Sequence, residues 1–507
     1  MDERFSITSC AHCGQRIEFP TDGLGLQAQC PGCGGETLLT GNPPEKPESA
    51  EEEITAGELQ DALTGVLPRR RVSIFYQIGL LLVAIFMVLL PLVYLAFALL
   101  TGYGVYWYAI HGWVIFSSFA GGIHVMILKM ILYLGPLLGG TVAVFFMFKP
   151  ILARSPKRAM PLELNPVQHP RLYQFIAHLA DLVVVSMPKR IYLNCDLNAS
   201  VGFRRGFLSL LGNDLALNLG LVLVAGMNTR QFAAVVAHEL GHCTQWLAMR
   251  LGYIIDRIDG WFVRVVYERD TWDEALKDWS NSVNDLRLSL IVGCVHLAVW
   301  LSRKILYVLM ITGHAVSCFL SRQMEYHADS CAIAAAGSEG VESSLLRLRE
   351  QSLLRQIGYN ALDQIWEKRR QLPDSLPEFL NRLEKGLPSD FREDAQATLL
   401  NETPGIFATH PTPAQRIQKA RRASEAGVFT IEKSASALFR DFAETSRVVT
   451  ARHYRQTLGL AVTDSMLKPA DAFFQKPVST AVEDSTPSEV PTGPTPTLRI
   501  RRSSQTV

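Results

Sequence analysis

The chain has 507 residues and a formal net charge of +1, from 49 basic and 48 acidic side chains. This balance gives no global electrostatic argument for binding nucleic acid, and the length allows more than one domain. The mean hydropathy of +0.14 is high for a soluble enzyme. The excess of apolar residues is concentrated in a few long segments, which is typical of membrane spans.

Four cysteines near the N-terminus form two Cys-x-x-Cys pairs, namely Cys10, Cys13, Cys30 and Cys33. Their spacing is that of zinc ribbons, in which four thiolates surround one structural Zn²⁺. We therefore predict a zinc ribbon over residues 1–40, although no partner for it follows from these residues. The alternative is a redox role, but the sequence around the pairs lacks a thioredoxin-like βαβ pattern. The remaining cysteines are scattered, which indicates a reducing compartment rather than a disulfide framework.

Residues 41–71 are rich in Pro and Glu, and this composition predicts a linker. The apolar segment 72–148 predicts two transmembrane helices, one over residues 74–100 with a kink at Pro91 and one over about residues 124–148. Before the linker, the polar first residues have no apolar core, so we expect no cleavable signal peptide.

The loop predicted between the two spans contains no Lys or Arg, but it carries an aromatic cluster suited to a lipid headgroup layer, formed by Tyr103, Tyr106, Trp107, Tyr108 and Trp113. Basic residues lie outside the pair instead, at Arg69, Arg70, Arg71, Lys149, Arg154, Lys157 and Arg158. By the positive-inside rule both outer ends are cytoplasmic. We therefore expect a multi-pass protein of the cell membrane whose ribbon and following domain are cytoplasmic.

An HExxH motif, His238-Glu239-Leu240-Gly241-His242, lies in an apolar stretch compatible with a buried helix. Residues four apart share one helical face, so His238 and His242 can bind a single ion with Glu239 beside it. Neutral imidazoles suit Zn²⁺, which can lower the pKa of a bound water to about 7. Glu239 is then the natural base to take the proton of that water as it attacks a peptide carbonyl.

Two histidines do not complete a catalytic zinc site, and a third ligand must lie elsewhere. Gln245 and Ala248 occupy the positions that a metzincin would give to Gly and His, so that pattern is excluded. The better candidate is Glu325, which with Asp329 forms an ExxxD pair on one helical face. Glu325 can complete a His₂Glu site, and Asp329 could accept a hydrogen bond from the far nitrogen of a ligand histidine.

Between the spans and the HExxH helix, residues 172–185 have helical periodicity, and the segments IYLN and LALNLG are strand-like. Asn198 and Ala199 lie between these strands, where an edge strand could pair with an extended peptide substrate. A small sheet with only a structural role is equally compatible with this region.

Two apolar runs, 288–302 and 305–321, follow the HExxH helix and are separated by Arg303 and Lys304. Each run is short for a full span, so they are either further membrane-embedded helices or helices of the domain core. Beyond them we predict helices over 340–400, a helical extension over 426–467 and a disordered tail over 468–507, which is rich in Pro, Thr and Ser.

Three motifs together resemble the membrane metallopeptidases of the HtpX and CAAX prenyl protease family, namely HELGH at 238–242, EYHAD at 325–329 and THPTPAQRI at 409–417. The resemblance covers roughly residues 160–425 and implies that Glu325 is the third zinc ligand. It places His410 and Arg416 at the substrate side of the cleft, where His410 would donate to the developing oxyanion or orient the cleft. It also implies that Asn198 and Ala199 belong to the substrate-pairing strand.

The predicted fold is therefore multi-domain α+β: a zinc ribbon, a transmembrane hairpin, and a mainly helical zincin-type peptidase domain over 149–425 with a small β-sheet. We expect one catalytic and one structural Zn²⁺, contact with membrane lipid, and unfolded or membrane proteins as substrates. The resemblance implies membrane-protein quality control, with prenyl-peptide processing as a narrower variant.

Two other classes of protein are alternatives to this prediction. One is a non-catalytic scaffold whose ribbon and tail recruit partners, and the intact Glu239 argues against it. The other is a metal-sensing or transport protein, which the absence of paired intramembrane ligands from the predicted spans makes the weakest candidate.

Overall fold

The structure is a computed structural model that describes residues 5–474 apart from positions 11–12, 14, 21–22, 24, 40–53, 63–73, 118–121, 153–160, 205–211, 213, 245, 268–285, 389, 403–404 and 406–409. The described residues are mostly helical, with small sheets. The longest described helix, Leu286–Arg369, includes a part that is long and apolar enough to cross a membrane. Another part of the same helix packs in the core of the main domain.

The N-terminal module consists of two antiparallel hairpins, formed by β1 (Phe5–Ser9) with β2 (Arg16–Pro20) and by β3 (Gln27–Gln29) with β4 (Glu36–Leu38). Its apolar side chains, among them Phe19 and Leu38, belong to the same buried cluster as the core of the main domain. The module therefore packs against the main domain.

A short helix lies inside the segment predicted to be a linker. Helix α1 (Ala56–Ala62) follows Thr55, whose hydroxyl accepts from the Glu58 N–H while the Glu58 carboxylate accepts from the Thr55 N–H. This capping box starts the helix. Ile54 and Leu59 are fully buried in the core, so the linker prediction is corrected for residues 54–62, because two apolar side chains there dock onto the domain. The rest of 41–71 lies outside the described residues.

Three helices of the described chain are long and apolar enough to cross a membrane, over Ile74–Phe116, Ile123–Lys149 and Val299–Arg369. The first includes α2 (Ile74–His111), which contains Pro91 in its interior, and the second lies within α3 (Ile123–Leu152). Helix α2 continues beyond the predicted end at residue 100, because an unbroken helix satisfies its own backbone in an apolar phase.

The aromatic cluster is consequently not in a loop as predicted. Four of its members lie in the last turns of α2, and Trp113 lies in the 3₁₀ turn Gly112–Phe116 that follows. Of the predicted basic flanks, Lys149 is in α3, whereas Arg69 to Arg71 and Arg154 to Arg158 lie outside the described residues.

The main domain begins with a four-stranded sheet of order β5-β6-β8-β7, in which β6 and β8 are parallel and the other pairs are antiparallel. Its elements in chain order are β5 (Leu162–Glu163), α4 (Pro170–Leu182), β6 (Arg190–Asn194), β7 (Ala199–Phe203) and β8 (Leu215–Gly220). The helix and the strands IYLN and LALNLG therefore lie where the sequence predicted them. Strand β7 forms one edge of this sheet.

In the described part of the chain, four helices follow the sheet and carry most of the candidate site: α5 (Leu221–Ala225), α6 (Thr229–Gly241), α7 (Trp246–Tyr267) and α8 (Leu286–Arg369). Helix α8 is interrupted only at Gly337, whose φ of 83° is left-handed. The runs 288–302 and 305–321 are therefore parts of one helix. Its side chains Leu306 and Met310 are buried against α2, and the Tyr94 hydroxyl bonds Ser302 Oγ at 2.8 Å.

The remaining elements close the core: β9 (Leu372–Pro373), α9 (Leu376–Lys385), α10 (Phe391–Leu400), α11 (Pro413–Ala423), α12 (Phe442–Arg452) and β10 (Leu467–Lys468). The region predicted as a separate extension, 426–467, contributes Phe429 and Tyr454 to this core. The predicted tail is corrected at its start, because β10 pairs in parallel with β9 and the described chain continues to residue 474. Residues 475–507 lie outside the described residues.

Candidate metal centre

Helix α6 brings the HExxH motif into the interior. A capping box starts it, in which the Asn228 side chain accepts from the Gln231 N–H and the Gln231 side chain accepts from the Asn228 N–H. Near the other end, a Cβ on Gly241 would lie 3.0 Å from the Ala328 Cα. Glycine at this position therefore allows the close crossing of α6 and α8 that brings the histidines to Glu325.

The ligand atoms of His238, His242 and Glu325 all lie within 4.8 Å of one another. The two Nε2 atoms are 3.3 Å apart, and they lie 3.3 Å (His238) and 3.5 Å (His242) from the nearer Glu325 carboxylate oxygen. Ligands at the usual zinc distances of about 2.0–2.1 Å in a tetrahedron are separated by about 3.3–3.4 Å. The chemistry and the spacing of this donor set therefore both fit Zn²⁺.

Asp329 lies directly behind the first histidine and is completely buried. Its Oδ1 is 3.1 Å from His238 Nδ1, and it also accepts from Arg416 Nε at 3.0 Å and Arg416 Nη2 at 2.6 Å. A proton on Nδ1 that is donated to Asp329 leaves the Nε2 lone pair free for a metal. Arg416 lies on a cavity wall, as the resemblance implied for the substrate side, but its guanidinium is engaged by Asp329.

Glu239 is half-buried beside the three ligand atoms. Burial raises the pKa of Glu239 above its ordinary value, an effect that the charge of His238 opposes and that of Glu325 reinforces. The backbone N–H of Val201 in β7 donates to the Glu239 carboxylate. The candidate base and the edge strand are therefore held together.

His410 approaches from the loop before α11, and its Nδ1 is 3.1 Å from Glu325 Oε1. Its side chain is 69% exposed, so the imidazole lies at the open side of the centre. The hydrogen bond to Glu325 raises the pKa of His410, and burial of part of the ring opposes this shift. The position is compatible with both roles that the resemblance implied.

Two cavities meet at the centre, and both are lined by His242, Glu325 and His410. The first, of about 570 Å³, is also lined by residues 197–200, by Glu239 and by Arg416. We call it the strand cavity. Asn198 and Ala199 are therefore within the same cavity as the metal-ligand set. The second cavity, of about 450 Å³, extends towards α2 and α7.

Two aspartates and a threonine–histidine pair near the centre were not predicted from the sequence. Asp256 and Asp259 of α7 line the second cavity, and their i, i+3 spacing on an amphipathic helix was the available signal. Thr244 Oγ1 lies 2.9 Å from His327 Nε2, which joins the end of the HExxH segment to the helix that carries Glu325. Only the tertiary contact makes that pair recognisable.

The four ribbon cysteines form the second potential metal-ligand set of the described chain, with their Sγ atoms within 4.8 Å of one another. Cys10 and Cys33 are 3.6 Å apart at sulfur, as are Cys13 and Cys30. Zn–S bonds of about 2.3 Å place tetrahedral sulfurs about 3.8 Å apart. This cluster therefore also fits Zn²⁺, and its four thiolates would leave no position open for a substrate.

A His₂Glu donor set with a neighbouring glutamate, next to helices that are long and apolar enough to cross a membrane, defines the class of membrane metallopeptidases. Residues 166–424 match the model of peptidase family M48. The chain belongs to peptidase family M48, and this confirms the resemblance recognised from the three motifs.

Curated relatives support the same assignment. Protease HtpX of Acinetobacter baumannii strain AYE is 25% identical over 316 residues, which are 59% of this chain and 86% of that protein. The HtpX proteases of strains SDF and AB307-0294 match to the same extent. The chain is therefore an HtpX-like membrane protease. No solved structure matches it significantly.

Proposed function

We propose that the chain is a zinc-dependent endopeptidase in which His238, His242 and Glu325 hold the catalytic ion. The observation that carries this proposal is the mutual spacing of 3.3–3.5 Å between their ligand atoms, with Glu239 on the wall of the same cavity. A second, structural Zn²⁺ would occupy the ribbon cysteines.

Glu239 acts as the general base in this proposal. When bound, Zn²⁺ supplies Lewis-acid polarisation of the scissile carbonyl and of the attacking water. The Glu239 carboxylate accepts a proton from that water and then returns it to the nitrogen of the leaving amine. The bond to the Val201 N–H fixes the carboxylate, and Asp329 holds the His238 ring in one tautomer.

Strand β7 supplies the means to hold an extended peptide. It lies at the edge of its sheet and shares the strand cavity with Glu239, so a substrate could add as a further strand by backbone pairing. His410, on the open side, would donate a hydrogen bond to the oxygen that becomes negative as the carbonyl is attacked.

The packing of the metal-centre helix against a membrane-length helix supports membrane proteins or unfolded chains as substrates, and hence a task in membrane-protein quality control. Helix α8 carries Glu325 and, in the preceding turns, packs Leu306, Met310 and Leu320 in one cluster with the membrane-length helix α2. The proposed cleft would thus lie close to the membrane. By the charge distribution of the flanks, it would face the cytoplasm.

The test compares detergent-purified wild type with Glu239→Gln on an unfolded test protein and on a membrane-protein reporter, with and without a zinc chelator. Removal of the base should lower the cleavage rate at least about a hundredfold while two Zn²⁺ per chain remain bound. Glu393→Gln, an exposed glutamate of α10, is the matched control and should cleave like wild type. Cleavage by Glu239→Gln at the wild-type rate would refute the mechanism.

A further inference from the structure

Strand β7 connects the two cavities of the centre. Residues 199–200 line the strand cavity, whereas Val201, Gly202 and Phe203 line the second cavity. Since a strand advances about 3.3 Å per residue, a peptide of about five residues paired along β7 would pass the ligand set and place a side chain in each cavity. The second cavity is therefore positioned to be a substrate subsite.

The second cavity combines acidic and apolar walls, and we call it the acidic cavity. Asp256 and Asp259 project into it from one face of α7. Leu80 of α2 and Met249, Leu320 and Met324 supply apolar lining. A side chain that matches these walls has an apolar stem and a cationic head, which is the description of Lys and Arg.

A second observation concerns the hydrogen bonds of the Asp259 carboxylate. Its Oδ2 accepts from Ser317 Oγ at 3.1 Å and lies 3.9 Å from His314 Nδ1. Its Oδ1, however, is buried and has no hydrogen-bond partner among the described residues. A buried carboxylate oxygen without a donor is costly, and the positive charge of an ammonium or guanidinium group in the acidic cavity would offset part of that cost.

We propose that the acidic cavity is a specificity subsite that accepts a Lys or Arg side chain of the substrate, with Asp256 and Asp259 as the recognition residues. This inference rests on the proposed peptidase function and deepens it. The cavity adjoins His242 and Glu325, so the basic residue lies within a few positions of the scissile bond, on one side of it only.

The position of the acidic cavity also indicates where membrane substrates are cut. Leu80 lies in a membrane-length helix and lines the acidic cavity, so the cavity opens near the end of a span. The cytoplasmic ends of membrane spans are rich in Lys and Arg. We therefore expect cleavage next to the basic residues that flank such spans, where both the required charge and a short extended segment are available.

The test uses two fluorogenic peptides that differ only by Lys against Met, which have unbranched side chains of similar length, with the variable residue placed in turn at each position near the scissile bond. Wild type should cleave the Lys peptide with a kcat/KM on the order of tenfold higher at one position, because a desolvated charge pair is worth about that factor. In Asp256→Asn with Asp259→Asn the ratio of the two kcat/KM values should fall to about one. Glu393→Gln should keep the wild-type ratio.

Cleavage of the Met peptide by the double variant shows that the variant is folded. Equal rates for the two peptides in wild type would overturn the proposal, as would a Lys preference that survives the double substitution. If wild type cleaves neither peptide, the peptidase function itself is in question. Binding to Glu239→Gln, read by fluorescence anisotropy, then decides the subsite separately: tighter binding of the Lys peptide that depends on both aspartates supports it, and equal binding overturns it.

Discussion

Replacing Asp329 by Asn tests whether this carboxylate supports metal binding through His238 and stabilises the fold through Arg416. Asn keeps the size of the side chain but removes the charge and turns one acceptor into a donor. That donor faces either the Arg416 guanidinium or the N–H that His238 Nδ1 carries when its Nε2 binds a metal. Loss of such a partner typically lowers metal affinity by about 10–100-fold, or about 1.4–2.8 kcal/mol. The same change leaves the Arg416 guanidinium without its carboxylate.

The cost in folding stability follows from burial. Breaking a buried ion pair by removing one partner costs about 3–5 kcal/mol, and the lower end applies here because the Arg416 side chain is 18% exposed. We therefore expect about 3 kcal/mol. Asp329→Asn combined with Arg416→Gln should be destabilised by less than the sum of the single changes, because the second substitution removes the unpaired charge.

The measurements are zinc affinity by competition with a chromophoric chelator and thermal unfolding in detergent, for the wild type, both single variants and the pair. Glu393→Gln serves as a control that changes a carboxylate far from the buried pair. A zinc affinity of Asp329→Asn within twofold of wild type, or strictly additive losses of stability, would refute the reasoning.

Three further predictions concern other parts of the molecule. Cys30→Ser should reduce bound zinc from two ions to one and lower the unfolding temperature, read by metal analysis and calorimetry, because metal binding and folding of a ribbon are coupled. Gly337→Ala should destabilise by at least about 1–3 kcal/mol in chemical unfolding, since its φ is 83° and a Cβ would lie 2.2 Å from the Ala426 carbonyl oxygen. Burial lowers the pKa of His453, whose Nε2 contacts the Tyr359 hydroxyl, from 6.5 to about 4. Only the unfolded chain then takes up this proton between those pH values, so stability should fall by about 1.4 kcal/mol per pH unit as the pH drops through that window, and His453→Gln should flatten the slope.

Several elements were predictable from local sequence. Helix α4 and the strands β6 and β8 follow their periodicity, and α6 begins with the capping pair Asn228 and Gln231. In these segments propensity, capping and burial all favour the same conformation. The linker and the start of the tail were predicted less well, because a composition rich in Pro and Glu does not reveal that Ile54 and Leu59 dock on a distant surface.

The length of helix α8 was likewise not predictable from local sequence. Arg303 and Lys304 divide its apolar part in the sequence, and the two runs were predicted as separate helices, either membrane-embedded or part of the domain core. The structure continues through both residues, since Ser302 bonds Tyr94 and Leu306 packs against α2. Long-range contacts thus accompany a continuous helix where the sequence predicted two.

The family and the residues that could hold zinc were recognisable in the sequence, because HExxH, ExxxD and paired CxxC are short-range patterns in which residue type and spacing specify the ligands. Only the tertiary structure decided what surrounds those ligands. Asp329 with Arg416, the two cavities along β7 and the aspartates of α7 arise where helices and a strand far apart in sequence cross. Residue spacing along a chain carries no information about side chains that meet only after the core has packed.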